Sequence, residues 1–249
     1  MTSGRAGDDR PPRALTVVTW NLFFGRAKPP ARRDLFEAFA GTLAGWQWDV
    51  ALLQEVPHWW PRQLARAVGA DAYAAVRTAR HELAPLRRLL ARRLPDLLGS
   101  WAGGTNAILV RRGTIAARRR LLLRWLPERR LALGVRVAVA GGDVWLVNLH
   151  AEASSRQRAA RDLDRALAAA RRWADTSPLI VGGDFNLERS LVSQLALRHG
   201  LAYAAGARLD HLLVRGFARG RVAPLPPPTS DRGAQLSDHP PVRAVFGPA

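Results

Sequence analysis

Asn21, Glu55, His150, Asp184 and Asp238 each stand at or just beyond the end of an apolar, strand-like run. Amide and charged groups are costly to bury unless they are paired or bound to a metal. One such residue is ordinarily a cap or a turn former. Several, each ending a core strand, imply strand ends that converge on one polar pocket. Gly182-Gly183-Asp184-Phe185-Asn186 is the sharpest case. The glycines permit a tight turn and close backbone approach. Asp184 and Asn186, two apart, point the same way if the chain stays extended. A carboxylate beside a neutral amide suits a water nucleophile, one accepting its proton and the other fixing its position. An Asx turn closing a strand explains the same pair, and the spacing alone leaves both readings open.

Ser237-Asp238-His239 lies directly before the apolar run Val242 to Phe246 and is followed by two prolines, so it is held in place. Histidine changes protonation near neutral pH, which suits it to activating a water or holding a phosphate oxygen. Asp210 is a candidate orienter of that ring. Glu55 follows the run DVALLQ and is a hard-cation ligand by type. Asn21 is placed to orient Glu55 or to touch phosphate. Asn148 and His150 share one face of a strand, and His150 is a candidate proton donor to a leaving group. Asn148, and Asn106 at the head of NAILV, are candidate substrate contacts. His58, His81, His199 and His211 read as structural or surface residues.

These residues need rigid elements to carry them. Strands are expected at 15–22, 49–54, 72–78, 106–110, 115–125, 131–139, 144–149, 179–181, 209–214 and 242–246 from β-branched and apolar runs. Helices are expected at 33–44, 59–68, 154–173 and 191–199. Gly141-Gly142-Asp143 marks a hairpin. Many strands without regular βα alternation predict an α/β sandwich of two mixed or antiparallel sheets with helices outside. No Gly-rich turn follows the first strand, which argues against a dinucleotide fold. The expected organisation is a disordered leader over residues 1–13 and one domain over 14–249.

The 249 residues hold no cysteine, so disulfides and thiolate metal sites are excluded. Oxygen and imidazole ligands remain, which favour Mg²⁺, Mn²⁺ or Ca²⁺. The net charge is +18, a field that favours polyanions such as DNA or RNA, or an anionic membrane surface. Lys28 is the only lysine among the 38 basic residues, so a coding bias toward arginine explains part of that charge equally well. Trp59, Trp60 and Trp101 are candidates to stack on bases. Residues 80–101 alternate leucine with arginine, a basic amphipathic pattern that fits either peripheral contact with anionic lipid or a helix with a solvated face. No window is apolar enough for a transmembrane segment, and no signal core precedes residue 13. A cytoplasmic location is the resulting expectation.

TWNLFFG, LLQEVP, NAILV, VNLHAE, GGDFN, RLDHLLV and LSDHPPV occur in the order found in the endonuclease/exonuclease/phosphatase superfamily, which the chain resembles over roughly residues 15 to 246. The resemblance implies a four-layer, DNase-I-like sandwich, with the site at one end of two packed sheets. It implies hydrolysis of a phosphate ester by an in-line water with a divalent metal, Mg²⁺ or Mn²⁺. In those terms Glu55 resembles the principal metal carboxylate, assisted by Asn21, with Asp238 the last acidic residue at the metal or water. Asp184 and Asn186 resemble the pair that orients the water. His239, buttressed by Asp210, resembles the base or phosphoryl-stabilising histidine, and His150 the acid toward the leaving oxygen. Abasic-site endonucleases of the superfamily usually carry tyrosine at the position of His150. The histidine is more similar to the DNase, sphingomyelinase and inositol-phosphatase branches.

Overall fold

The structure is a computed structural model that describes residues 14–75, 89, 96, 104–126, 128–218 and 220–247. The expected leader and nearly all of the amphipathic stretch 80–101 lie outside the described residues, as does Trp101.

Two six-stranded sheets form the body of the fold. The first has the order β12-β14-β1-β3-β5-β4, from β1 (Leu15–Asn21), β3 (Val50–Pro57), β4 (Asp71–Ala75), β5 (Gly104–Val110), β12 (Arg221–Val222) and β14 (Val242–Phe246). The second has the order β10-β11-β9-β8-β7-β6, from β6 (Thr114–Arg124), β7 (Arg130–Val139), β8 (Gly142–His150), β9 (Leu179–Asp184), β10 (Ala202–Ala207) and β11 (Asp210–Arg215). A small ribbon pairs β2 (Ala27–Lys28) with β13 (Gln235–Leu236). The inner faces of the large sheets meet through Val17, Leu52, Ile108, Leu133, Leu146, Ile180 and Leu212, all fully buried. Each such side chain contributes roughly 1.5–3 kcal/mol by leaving water.

Helices cover both outer faces. On the first sheet lie α1 (Phe36–Gly45) and α2 (Pro61–Val68), packed through Phe39, Leu43 and Leu64 onto Val18, Trp20 and Leu53. On the second lie α3 (Arg156–Ala174) and α4 (Arg189–Arg198), packed through Leu163, Leu167 and Val192 onto Val147, Leu149 and Val181. The result is the expected four-layer α/β sandwich.

Local chemistry explains where elements begin and end. Helix α1 starts at Phe36 rather than Arg33 because the Asp34 carboxylate accepts the Phe36 N–H at 2.9 Å. Helix α2 opens on Pro61 and closes on Gly69 at φ 64°. Ser155 caps α3 by accepting from the Arg158 N–H.

Two expectations change. Gly182-Gly183 is not a turn but the last part of β9, which continues through Asp184. A Cβ on Gly182 would lie 2.5 Å from a Leu212 methyl carbon, and one on Gly183, at φ 145°, would lie 1.9 Å from the Leu149 carbonyl oxygen. The glycines serve close packing of three strands. Trp60 is not an exposed stacking platform. It is 3% exposed and packs on Phe36, Phe39 and Gly25.

Candidate active site

Strand direction gathers the polar residues. β1 and β3 run parallel, with Asn21 opposite Gln54, so Asn21 and Glu55 arrive at the same end of the first sheet. β8 and β9 also run parallel, with His150 opposite Asp184. β11 runs back along β9 from Asp210, which is opposite Asp184. His239 precedes β14, which runs antiparallel to β1. Six residues from both sheets therefore meet at one end of the sandwich.

Asp184, almost fully buried, is the hub. Its Oδ2 accepts from the Asn21 Nδ2 at 3.0 Å and lies 3.5 Å from His150 Nε2 and 3.8 Å from His239 Nε2. Its Oδ1 accepts from the Asn186 N–H at 3.1 Å, so the Asx turn is present and the side chain still serves the cluster. Asn186, at φ 51°, donates from Nδ2 to the Ala151 carbonyl at 3.1 Å. Asn21 is fixed from its other end, its Oδ1 accepting the Phe23 N–H.

His239 is held at three points. Its ring Nδ1 lies 2.7 Å from Asp210 Oδ2, its backbone N–H donates to Ser237 Oγ, and its carbonyl accepts from Trp20 Nε1. Ser237 Oγ in turn donates to the Asn21 carbonyl at 2.6 Å, which ties the loop to β1. Asp238 pairs with Lys28 at 3.2 Å, and its Oδ1 lies 3.9 Å from His239 Nε2. Glu55 projects from a bulge in β3 at φ 48°, with Oε1 3.9 Å from His150 Nε2. A non-glycine residue held there is a strained position that its surroundings must stabilise.

Burial and neighbouring charge set the protonation states. Burial, with Asp184 alongside, raises the Glu55 carboxyl to about 8. Burial also raises Asp184, against the pull of His239 and its hydrogen bonds, and raises Asp210 to about 7. Burial works against the imidazolium of His239, but the hydrogen bond to Asp210 and the charges of Asp210, Asp184 and Asp238 outweigh it and raise it to about 9. His150 moves the other way. Burial, then Arg130 and His239, hold it well below the usual histidine range, so it is neutral at pH 7. Two imidazoles of opposite protonation thus face one carboxylate.

Arg130 is the residue that sequence reasoning did not assign. It heads β7 at this end, is 5% exposed, bonds Glu128 at 2.7 Å, and its charge acts on Glu55, His150, Glu152 and Asp184. Its position one residue before an apolar strand was a signal shared with several other arginines. Glu152, buried just beyond His150, accepts from Ser154 and lies 3.8 Å from Arg124.

Asn148 is not brought into the cluster. It is fully buried between the sheets, donating to the Leu53 and Ala107 carbonyls and accepting from Gln54 Nε2 at 2.7 Å. Asn106 is 4% exposed and donates to the Leu131 carbonyl. Both asparagines spend their amide groups on joining strands. His211 is buried, with Nε2 at 2.8 Å from the Leu187 carbonyl, and His199 pairs with Asp164.

Asp184, Asp210 and His239 bring one ligand atom each within 4.8 Å of one another, a span that could hold a metal ion. The donor set fits a hard cation: the carboxylates of Glu55, Asp184 and Asp210 are all raised by burial, the Asp210 Oδ1 is buried without a hydrogen-bond partner, and so is the Asp238 Oδ1. A bound cation would relieve each of these costs.

The model of the endonuclease/exonuclease/phosphatase family matches residues 18–239. Comparison with curated proteins finds no match. Among solved structures, an endonuclease/exonuclease/phosphatase family protein from Bacteroides thetaiotaomicron superposes with a TM-score of 0.71 at 17% identity, over 95% of this chain and 98% of that one. Truncated TDP2 from Caenorhabditis elegans gives 0.69 at 15% identity, over 94% and 97%. The mannosyl-6-phosphatase Bt3783 from Bacteroides thetaiotaomicron gives 0.68 at 15% identity, over 93% and 99%.

Proposed function

The chain belongs to the endonuclease/exonuclease/phosphatase family, and from that membership we propose that it is a divalent-metal-dependent hydrolase of phosphate esters acting through Asp184 and His239. The observation that carries the proposal is the arrangement at Asp184, where a buried carboxylate faces one cationic and one neutral imidazole.

Asp184 Oδ2 is the acceptor for the proton of an attacking water, and its hydrogen bonds from Asn21 and the Asn186 N–H hold it in one orientation. The Asn186 side chain helps to position that water. His239, raised to about 9, is an imidazolium at neutral pH. It therefore acts as a donor to a phosphoryl oxygen rather than as a base, and Asp210 keeps it charged and aimed. Neutral His150 offers a hydrogen bond on the leaving-group side. Arg130 adds a second fixed positive charge for the phosphate. Glu55, with Asn21, Asp184 and Asp238 nearby, would hold Mg²⁺ or Mn²⁺, which supplies charge neutralisation at the phosphoryl oxygens.

Purified protein incubated with bis(4-nitrophenyl) phosphate, DNA, RNA, a phosphoinositide and a sugar phosphate tests the reading. Release of nitrophenol or phosphate that needs Mg²⁺ or Mn²⁺ and stops with EDTA supports it. Inactivity on every member, with both metals, would refute it.

A further inference from the structure

A groove of about 750 Å³ opens around the outer edge strand β10, and none of the residues given a role in hydrolysis above lines it. It is lined by Arg189, Tyr203, Arg208, His211, Arg215 and Phe217 among others, with no carboxylate among the described residues that line it. Small residues make the room: Ala202, Ala204, Ala205 and Gly206 occupy the strand where larger ones would fill the groove. A Cβ on Gly206 would lie 2.1 Å from the Tyr203 hydroxyl and 2.5 Å from His211 Nδ1, so the floor admits only glycine.

Among the described residues, the charged groups that line the groove are Arg189, Arg208 and Arg215. The Arg189 guanidinium lies over the Tyr203 ring at 4.7 Å. Its charge opposes the burial that raises the Tyr203 hydroxyl and adds to the burial that lowers His211. His211 is held below the usual histidine range by burial, so the positive charge comes from the arginines. Arg208 joins groove to cluster: it donates to the Asp238 carbonyl at 3.2 Å, and its charge reaches Asp210. Arg215 is fixed at the far end by the Asp175 and Ser177 carbonyls. From Ala207, opposite Asp210, to Ala202, opposite Val214, the strand spans six residues, or roughly 17 Å.

We propose that this groove is a second anion-binding subsite, taking a phosphoryl group of the substrate other than the one that is hydrolysed. The proposal rests on the phosphoester reading and narrows it to substrates that carry at least two phosphoryl groups. Guanidinium donors suit phosphate in a forked geometry.

Binding is measured first, in EDTA, where the acidic cluster has no cation to attract an anion. Inorganic pyrophosphate is titrated into the whole protein and followed by NMR at Tyr203 and His211. The expected result is saturable shifts at both rings and about tenfold weaker binding in Arg189→Ala, the scale of one charged hydrogen bond. Arg189→Lys should recover part of the loss. Kinetics follow with bis(4-nitrophenyl) phosphate, a 5′-phosphorylated dinucleotide and an alkyl bisphosphate. Arg189→Ala should raise KM about tenfold for the substrates with a second phosphoryl group, leaving kcat and the nitrophenyl substrate unchanged. An effect on the dinucleotide alone identifies a nucleic-acid phosphate as the source, and an effect on both identifies any bisphosphate. Absence of shifts at Tyr203 and His211, or an equal KM change for all three substrates, overturns the subsite. If no substrate is turned over but pyrophosphate still binds through Arg189, the subsite stands and the hydrolase reading falls.

Discussion

Replacing Glu55 by glutamine should stabilise the metal-free protein at alkaline pH while removing its activity. The Glu55 carboxyl is raised from 4.5 to about 8, first by burial and then by Asp184. A folded-state value above the unfolded one means that its contribution is fully present below about 4.5 and is lost as pH rises through about 8. At about 1.4 kcal/mol per pH unit, the full shift corresponds to a ceiling of roughly 5 kcal/mol. The Glu55 side chain is 17% exposed, so water reduces the cost, and about 2–4 kcal/mol is the expected gain for Glu55→Gln at pH 9. For a chain of this size that is roughly 5–10 °C in Tm. Thermal melts of both proteins in EDTA, from pH 4 to pH 9, read it directly. The two curves should coincide near pH 4 and separate steadily up to about pH 8. Mg²⁺ at pH 8 should raise the wild-type Tm more than that of the variant, because a cation compensates only the ionised carboxylate. A variant that melts lower than wild type at pH 9 in EDTA, or a gap independent of pH, would refute the reasoning.

Three further outcomes follow from single contacts. Asp210→Asn removes the acceptor 2.7 Å from His239 Nδ1, so the ring titration seen by NMR should fall from about 9 by more than one unit; an unchanged midpoint contradicts the coupling. Gly183→Ala puts a Cβ 1.9 Å from the Leu149 carbonyl oxygen at φ 145°, and should cost more than about 4 kcal/mol in urea unfolding, or prevent folding. Asn148→Ala removes the donor to the Leu53 and Ala107 carbonyls and one of the three acceptors of the Gln54 amide, and should cost about 2–4 kcal/mol with KM unchanged; a raised KM at unchanged stability would make Asn148 a substrate contact instead.

The sequence marked the layers well because apolar runs and helical spacing report burial directly. β1, β3, β8, β9 and β14 lie where their runs fall, and four helices cover the sheets at the expected places. The convergence of Asn21, Glu55, His150 and Asp184 was legible because each is a polar residue at the end of an apolar run, and that of His239 and Asp210 because they form an acid-imidazole pair set against apolar runs. What a single residue could not reveal was its partner. Gly182 and Gly183 looked like turn formers, yet their reason is the backbone of β8 and the side chains of β11 and β3, which are distant in sequence. Asn148 looked like a site residue two positions from His150, but the first sheet takes up its amide. Arg130 could not be separated from the other arginines until β7 set it against Glu55 and His150. The groove at β10 was invisible because small residues carry no sequence signal for the space that they leave.

The central claim is that Asp184 and His239 together drive attack of water at phosphorus. It is tested most directly by metal-dependent turnover of a phosphate diester in ¹⁸O-labelled water by wild type, Asp184→Asn and His239→Gln, with folding checked by circular dichroism. The account predicts one label in the phosphate product of the wild type and a fall in kcat of about 10²–10⁴ in each folded variant. Undiminished turnover in either folded variant would contradict it.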